Sequence, residues 1–176
     1  MKLPLIIFTG ASGSGKTTLA RHIQQRYPLK YEVFFFDSIG VPPAEQIAAE
    51  FGSGEAWPRA MTLQWMKRIA PMQSAQTPVL LEGQMRIAFI QEALHINRIE
   101  NAHIVLVDCD DATRIARLRI ERSQSELANP TMMNWAQYLR GEAQSFAVEI
   151  LDTTHQPIDE CLLQIESYLH PALKRR

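Results

Sequence analysis

Cysteine is scarce in this chain, with two residues in 176, Cys109 and Cys161. So few, without metal-ligand spacing, exclude a disulfide-stapled scaffold and a cysteine-based zinc site; they fit reduced core thiols in a cytoplasmic protein. Net charge is nearly absent as well. There are 18 Lys plus Arg against 19 Asp plus Glu, a formal net charge of -1. The molecule as a whole is therefore not built to adhere to nucleic acid or to an anionic membrane. No apolar run reaches the roughly 20 residues of a membrane span, and the short run after Met1 and Lys2 breaks without a signal-peptide cleavage site. The histidines, His22, His95, His103, His155 and His170, lack ligand spacing, so no metal site is expected beyond transient Mg²⁺. Repeats and low-complexity linkers are missing too. What remains is apolar content: 46% of the chain is hydrophobic and 21% charged. At this length that predicts a single domain over residues 1–176 with a substantial core.

Residues 3–8 are apolar apart from Pro4, the pattern of a strand buried on both faces of a parallel sheet. Leu19, Ile23 and Tyr27 then recur at helical spacing, with Pro28 as the stop. A second strand is predicted over 31–36, ending at Asp37. A short helix over 44–51, a turn at Gly52 and Gly54, and a helix over 56–70 stopped by Pro71 come next. The third strand, 79–81, leads into Glu82-Gly83, followed by a helix over 86–96 and a fourth strand over 102–107 ending at Asp108. Asp110 or Asp111 caps a helix running through Arg122; Asn129 and Pro130 break it, and Thr131 caps another to about Phe146. A fifth strand at 148–151, an amphipathic helix over 158–169 and a frayed basic end, Lys174-Arg175-Arg176, complete the chain. Trp65 reads as core, Trp135 as packing, and Trp57 as packing or a wall of a ligand pocket. Strands alternating with helices in this way predict an α/β fold, a three-layer α/β/α sandwich on a five-stranded parallel sheet. In such sheets ligands bind at the carboxyl ends of the strands.

Between the first strand and the first helix lies Gly10-Ala11-Ser12-Gly13-Ser14-Gly15-Lys16-Thr17. It meets G-x-x-x-x-G-K-[ST] at every fixed position and in the strand-then-helix context that the motif needs. Glycine allows the backbone conformations from which successive N–H groups turn onto phosphate oxygens, and the following helix adds its positive N-terminal end. Lys16 would reach the β- and γ-phosphates and the Thr17 hydroxyl would ligate Mg²⁺, with Thr18 near the α-phosphate. A structural turn would need neither the third glycine nor the Lys-Thr pair. The motif specifies a nucleoside triphosphate; it does not specify what is done with it.

Acidic residues follow the later strands: Asp37, Glu82, Asp108 and Asp152. In its order of parts the chain resembles the P-loop kinases of nucleotides and small metabolites, the group that includes adenylate, shikimate and gluconate kinases. The resemblance implies the P-loop NTPase fold, ATP and Mg²⁺ as cofactors, and a phosphotransferase acting on a small-molecule acceptor, a nucleotide or another anionic metabolite. It implies an acceptor-binding insertion at about 37–72 and a lid at about 114–140. Asp37 would orient or deprotonate the acceptor hydroxyl, unless it is only a cap or turn residue of Asp37-Ser38-Ile39-Gly40. Glu82-Gly83-Gln84-Met85-Arg86 is similar to the Asp-Gly-x-x-Arg element of nucleoside monophosphate kinases, with Glu for Asp. On that likeness Arg86 would hold an anionic group of the acceptor and Glu82 would support Mg²⁺. Lids of this group commonly carry arginines four apart, a spacing that no pair among Arg114, Arg117, Arg119 and Arg122 has. Arg117 and Arg122 are the pair expected to neutralise the transferred phosphoryl group, with Arg140 as a further lid arginine. On an unbroken helix the first two would point well apart, so the lid would have to bend.

Two other readings stand beside the kinase. Asp37-Ser38-Ile39-Gly40 fits the short D-x-x-G pattern of nucleotide switches, although no N-K-x-D motif occurs. An ATP-binding module without catalysis is the third reading, against which the intact Lys16-Thr17 pair argues. The acceptor segment has Arg59, Lys67 and Arg68 as its only basic residues, thin support for a heavily phosphorylated acceptor.

Overall fold

The computed structural model describes residues 4–40, 43–52, 55–74 and 77–169. Five strands, β1 (Leu5–Thr9), β2 (Glu32–Phe35), β3 (Val79–Glu82), β4 (Ala102–Asp108) and β5 (Glu149–Asp152), form one sheet in the order β2-β3-β1-β4-β5. Every pairing is parallel, with Ile7 opposite Leu81 on one side and opposite Ile104 on the other. The strand order reverses at β1, so the crevice at its carboxyl end is where such a sheet presents a ligand site.

The apolar run that predicts a doubly buried strand is buried on both faces. Leu5 and Ile7 pack with Trp65, Ile69, Met85 and Ile90, under helices α3 (Ala56–Ile69) and α4 (Ile87–Ile96), and Ile47 and Phe51 of the short helix α2 (Ala44–Phe51) pack against the same core. Ile6 and Phe8 point the other way, among Leu19, Ile23, Leu162 and Ile165 of α1 (Lys16–Arg26) and α7 (Ile158–Leu169). Alternation along one strand thus builds two cores and three layers. Each such aliphatic side chain contributes about 1.5–3 kcal/mol on burial. A smaller cluster, Ile87, Leu106, Leu139 and Ala143, seats α6 (Pro130–Ser145). Among the described residues no helix is long and apolar enough to cross a membrane.

Several local expectations are corrected. The helix after β4 does not run as one α-helix to Arg122: α5 (Asp111–Ala116) gives way to a π-helical turn, Arg117–Glu121. Asp110, rather than Asp111, caps α5 by accepting from Thr113 N. Thr131 is no cap either. Asn129 accepts from Met132 N and Pro130 takes the first helical turn, where its missing N–H costs nothing. The α-helix over 56–70 does end just before Pro71, at Ile69, and a 3₁₀ segment, Ala70–Ser74, follows it. Trp57 and Trp65 are both buried. Gly54 and the Lys174-Arg175-Arg176 end lie outside the described residues.

Candidate active site

From the end of β1 the chain turns through its glycines into α1. Gly13 and Gly15 have φ of 79° and 94°, left-handed values that residues with a β-carbon resist. Lys16 opens α1 and is 7% exposed. Burial pushes its pKa down; Glu82 pulls it back up, Arg122 lowers it further, and Asp37 raises it. With Arg114, which also lowers it, four side chains from distant parts of the sequence act on one ammonium.

The loop is held from beneath by Arg114, which is fully buried. Its guanidinium donates to Ser12 O at 2.9 Å, to Cys109 O at 3.1 Å and to the Asp108 carboxylate. Its stem also fills the space beside Gly13, where an added β-carbon would come 3.1 Å from Arg114 Cγ. On the other side Thr153 Oγ1 donates to Ser14 O at 2.8 Å and accepts from Arg117 at 2.9 Å. The buried end of β4 and the loop after β5 thus fix the carbonyls of the phosphate loop.

Above the loop lies a cleft of about 420 Å³ lined by Gly15, Lys16, Thr18, Arg117, Arg122 and Cys161, among others. Arg117 and Arg122, expected in the lid, share this cleft. Gly13, Thr17, Thr153, Gln156 and Ile158 also line it. Gln156 and Ile158 carry no motif signal in the sequence.

At the far side of Lys16 stands Glu82, the last residue of β3. Thr17 Oγ1 donates to Glu82 Oε1 at 3.1 Å, and Glu82 Oε2 is buried without a hydrogen-bond partner among the described residues. Burial raises the Glu82 pKa, opposed by the charge of Lys16 and by the Thr17 hydroxyl, while Asp37 raises it further. A hydroxyl beside an unsatisfied carboxylate oxygen suits a hard divalent cation such as Mg²⁺. Among the described residues no cluster of three or more metal-binding side chains exists; remaining ligands would have to come from nucleotide phosphates and water. Asp37 lies in a 3₁₀ turn, Phe36–Ile39, closed by Gly40 N donating to Asp37 O at 3.0 Å. Its carboxylate is exposed, and its charge is felt at both Lys16 and Glu82. The close seating of Gly83 against Phe36 brings these parts together, since a β-carbon on Gly83 would stand 2.3 Å from Phe36 Cβ.

Two further sequence candidates are placed differently. Arg86 is engaged on every edge: with Glu55 at 2.9 Å, with Glu142 at 3.4 Å and with the Tyr138 hydroxyl. The rings of Phe89 and Tyr138 lie against it, 4.8 and 4.9 Å from centroid to guanidinium carbon. Arg140 is bound to Asp108, to Cys109 O at 2.9 Å and to Asp111 at 3.5 Å, and it lines a separate groove with Asp110 and Asp152. It does not line the phosphate-loop cleft.

Known proteins set this geometry in context. A family model described as an AAA domain matches residues 9–131. A search of curated proteins found no match. Among solved structures, shikimate kinase from Acinetobacter baumannii in complex with shikimate is 17% identical, with TM-score 0.65, covering 99% of this chain and 96% of that one. A gluconokinase from Sinorhizobium meliloti is 17% identical, with TM-score 0.62 and coverage of 97% and 94%. Shikimate kinase from Aquifex aeolicus is 20% identical, with TM-score 0.62 and coverage of 96% and 98%. At these identities the likeness is one of fold.

Proposed function

The chain belongs to the AAA domain family and has the α/β fold of P-loop small-metabolite kinases, and from that premise we propose that it is an ATP- and Mg²⁺-dependent phosphotransferase acting on a small hydroxylated acceptor. One observation carries this reading. Lys16 and Glu82 stand together at the end of the phosphate loop, with Thr17 donating to Glu82, and the charges of Arg122 and Asp37 reach both, which supplies cations for a phosphoryl group together with a carboxylate for an acceptor.

The roles follow from the chemistry of each group. The amides of residues 10–15 and the N-terminus of α1 bind the phosphates. Lys16 holds the terminal phosphates, and its depressed pKa reflects a buried charge poised to meet an anion. Thr17 and Glu82 would hold Mg²⁺, which when bound neutralises phosphate charge. Arg117 and Arg122 face the developing charge of the transferred group from above. Asp37 orients the acceptor hydroxyl and takes its proton; general-base assistance of this kind is worth about 10²–10⁴ in rate.

The experiment is ADP release from ATP and Mg²⁺, alone and with a panel of hydroxylated acceptors. Acceptor-dependent release is expected. Lys16→Ala should weaken triphosphate binding, and Asp37→Asn should abolish transfer while leaving ATP bound. Unchanged transfer in the Asp37 variant would remove that residue from the chemistry, and acceptor-independent turnover would favour an ATPase instead.

A further inference from the structure

The side chains around Arg86 bear on the class of acceptor, on the reading that the chain is a kinase. Two carboxylates approach Arg86: Glu55 at the start of α3 and Glu142 on α6. Arg86 is the cation between them. Its Nε faces Glu142, one terminal nitrogen faces Glu55 and the other meets the Tyr138 hydroxyl. Glu142 cannot be spared for an incoming anion. It is buried, accepts from Ile87 N at 2.7 Å and from Tyr138 at 2.7 Å, and thereby joins α4 to α6. The rings of Phe89 and Tyr138 also pack against the guanidinium. A fork so occupied has no free edge for a carboxylate or phosphate.

Of the other cations of the acceptor segment, Arg59 and Arg68 are engaged by side chains of the described residues, and Lys67 lies far along α3. Arg59, one turn from Glu55, donates from Nε to Glu92 at 2.7 Å and from a terminal nitrogen to the same carboxylate. Arg68 lies over the rings of Phe34 and Trp65 at 5.5 and 5.2 Å. Lys67 and Arg68 belong to the last turn of α3, about 18 Å along the helix from Glu55.

We infer that the acceptor is an uncharged alcohol, a polyol or other hydroxylated molecule bearing no phosphate or carboxylate, and that Arg86 is a positioning residue. Arg86 ties the start of α3 to α4 and α6, and the local excess of carboxylate repels anionic competitors.

The test uses matched pairs in the ADP-release assay: alditols against aldonates of the same carbon number, and nucleosides against their 5′-monophosphates. The neutral member of a productive pair is expected to have the larger kcat/KM, by about tenfold or more. Glu55→Gln frees one edge of Arg86 and should raise kcat/KM several-fold for the anionic member alone, moving the ratio within the pair. Preference of the wild type for the anionic member would overturn the inference and leave the kinase reading standing. An equal effect of Glu55→Gln on both members would overturn it too, because a merely structural role predicts that result. No release with any pair, with ATP still bound, would remove the kinase reading and the inference with it.

Discussion

The amide of Arg122 donates to the carbonyl of Arg117, five residues back, at 3.0 Å. In an α-helix two residues five apart stand about 140° from each other around the axis. The widened π turn brings the second nearly back above the first, and both side chains line the phosphate-loop cleft. Single π turns of this kind occur disproportionately at functional sites. Here the turn does the work of an α-helical spacing of four with one residue added.

That account predicts an asymmetry. Deleting Ile120, which is 79% exposed within the turn, should let the helix close with i→i+4 bonds and leave the arginines on one face. Phosphoryl transfer should then survive. Inserting an alanine after Ile120 should carry Arg122 off the cleft and lower kcat by about 10²–10³, the usual effect of losing a transition-state donor. Both variants should melt near the wild type by circular dichroism. Loss of transfer on deletion would show that the π turn itself, and not the shared face, is required.

Arg114 offers a second prediction. With its guanidinium fully buried against Asp108, Ser12 O and Cys109 O, Arg114→Met leaves the Asp108 carboxylate with only Arg140 and frees the loop carbonyls. Breaking a buried pair of this kind costs about 3–5 kcal/mol. For a chain of this size that lowers Tm by about 6–20 °C. Arg114→Lys should recover part of the loss, because it restores the charge but not the fork. A Tm within error of the wild type for the methionine variant would refute the buttress.

What the sequence made legible was local. The phosphate loop and the doubly buried β1 each declare themselves within a few residues, because backbone conformation and periodicity are short-range properties. The π turn does not, since nothing in Arg117-Leu118-Arg119-Ile120-Glu121 favours i→i+5 bonding. Only the need to seat Leu118 in the core while Arg117 reaches Thr153 explains it. Arg86 illustrates the same limit. Its neighbours along the chain resemble an anion-binding element, but its partners Glu55 and Glu142 come from 31 residues before and 56 after. Arg114 is one of four arginines clustered after β4 in the sequence, and helical spacing cannot reveal which of them lies beneath the phosphate loop.

Gly83 supplies a third prediction. Its backbone amide donates to Phe8 O at 3.0 Å and its α-carbon lies against Phe36, so β3 and the turn bearing Asp37 touch only because no side chain intervenes. Gly83→Ala should push the Phe36–Ile39 turn away from Glu82. ATP binding, which depends on the phosphate loop, should persist, whereas kcat should fall about 10²-fold or more through misplacement of Asp37. Binding titrations beside ADP release would separate the two. An equal loss of binding and of kcat would mean that the disturbance reaches the phosphate loop.

The last prediction concerns pH, through Glu82. Burial holds its pKa above the ordinary glutamate value, more than Lys16 and the Thr17 hydroxyl can offset. A raised carboxyl binds its proton more tightly in the folded than in the unfolded chain. Its contribution to stability is therefore complete below the ordinary glutamate pKa and is lost as pH rises through the raised one. Without ligands, Tm of the wild type should fall relative to Glu82→Gln across that window. Nucleotide with Mg²⁺ should reverse the preference, because a hard cation requires the carboxylate. Binding should then release up to one proton, and affinity should strengthen as pH rises through the same window. Calorimetry in buffers of different ionisation enthalpy measures that proton directly. In Glu82→Gln the release should disappear, leaving only what the triphosphate itself contributes. Equal release from both proteins would place the cation elsewhere, and would make the unpartnered Glu82 oxygen a structural feature without a ligand.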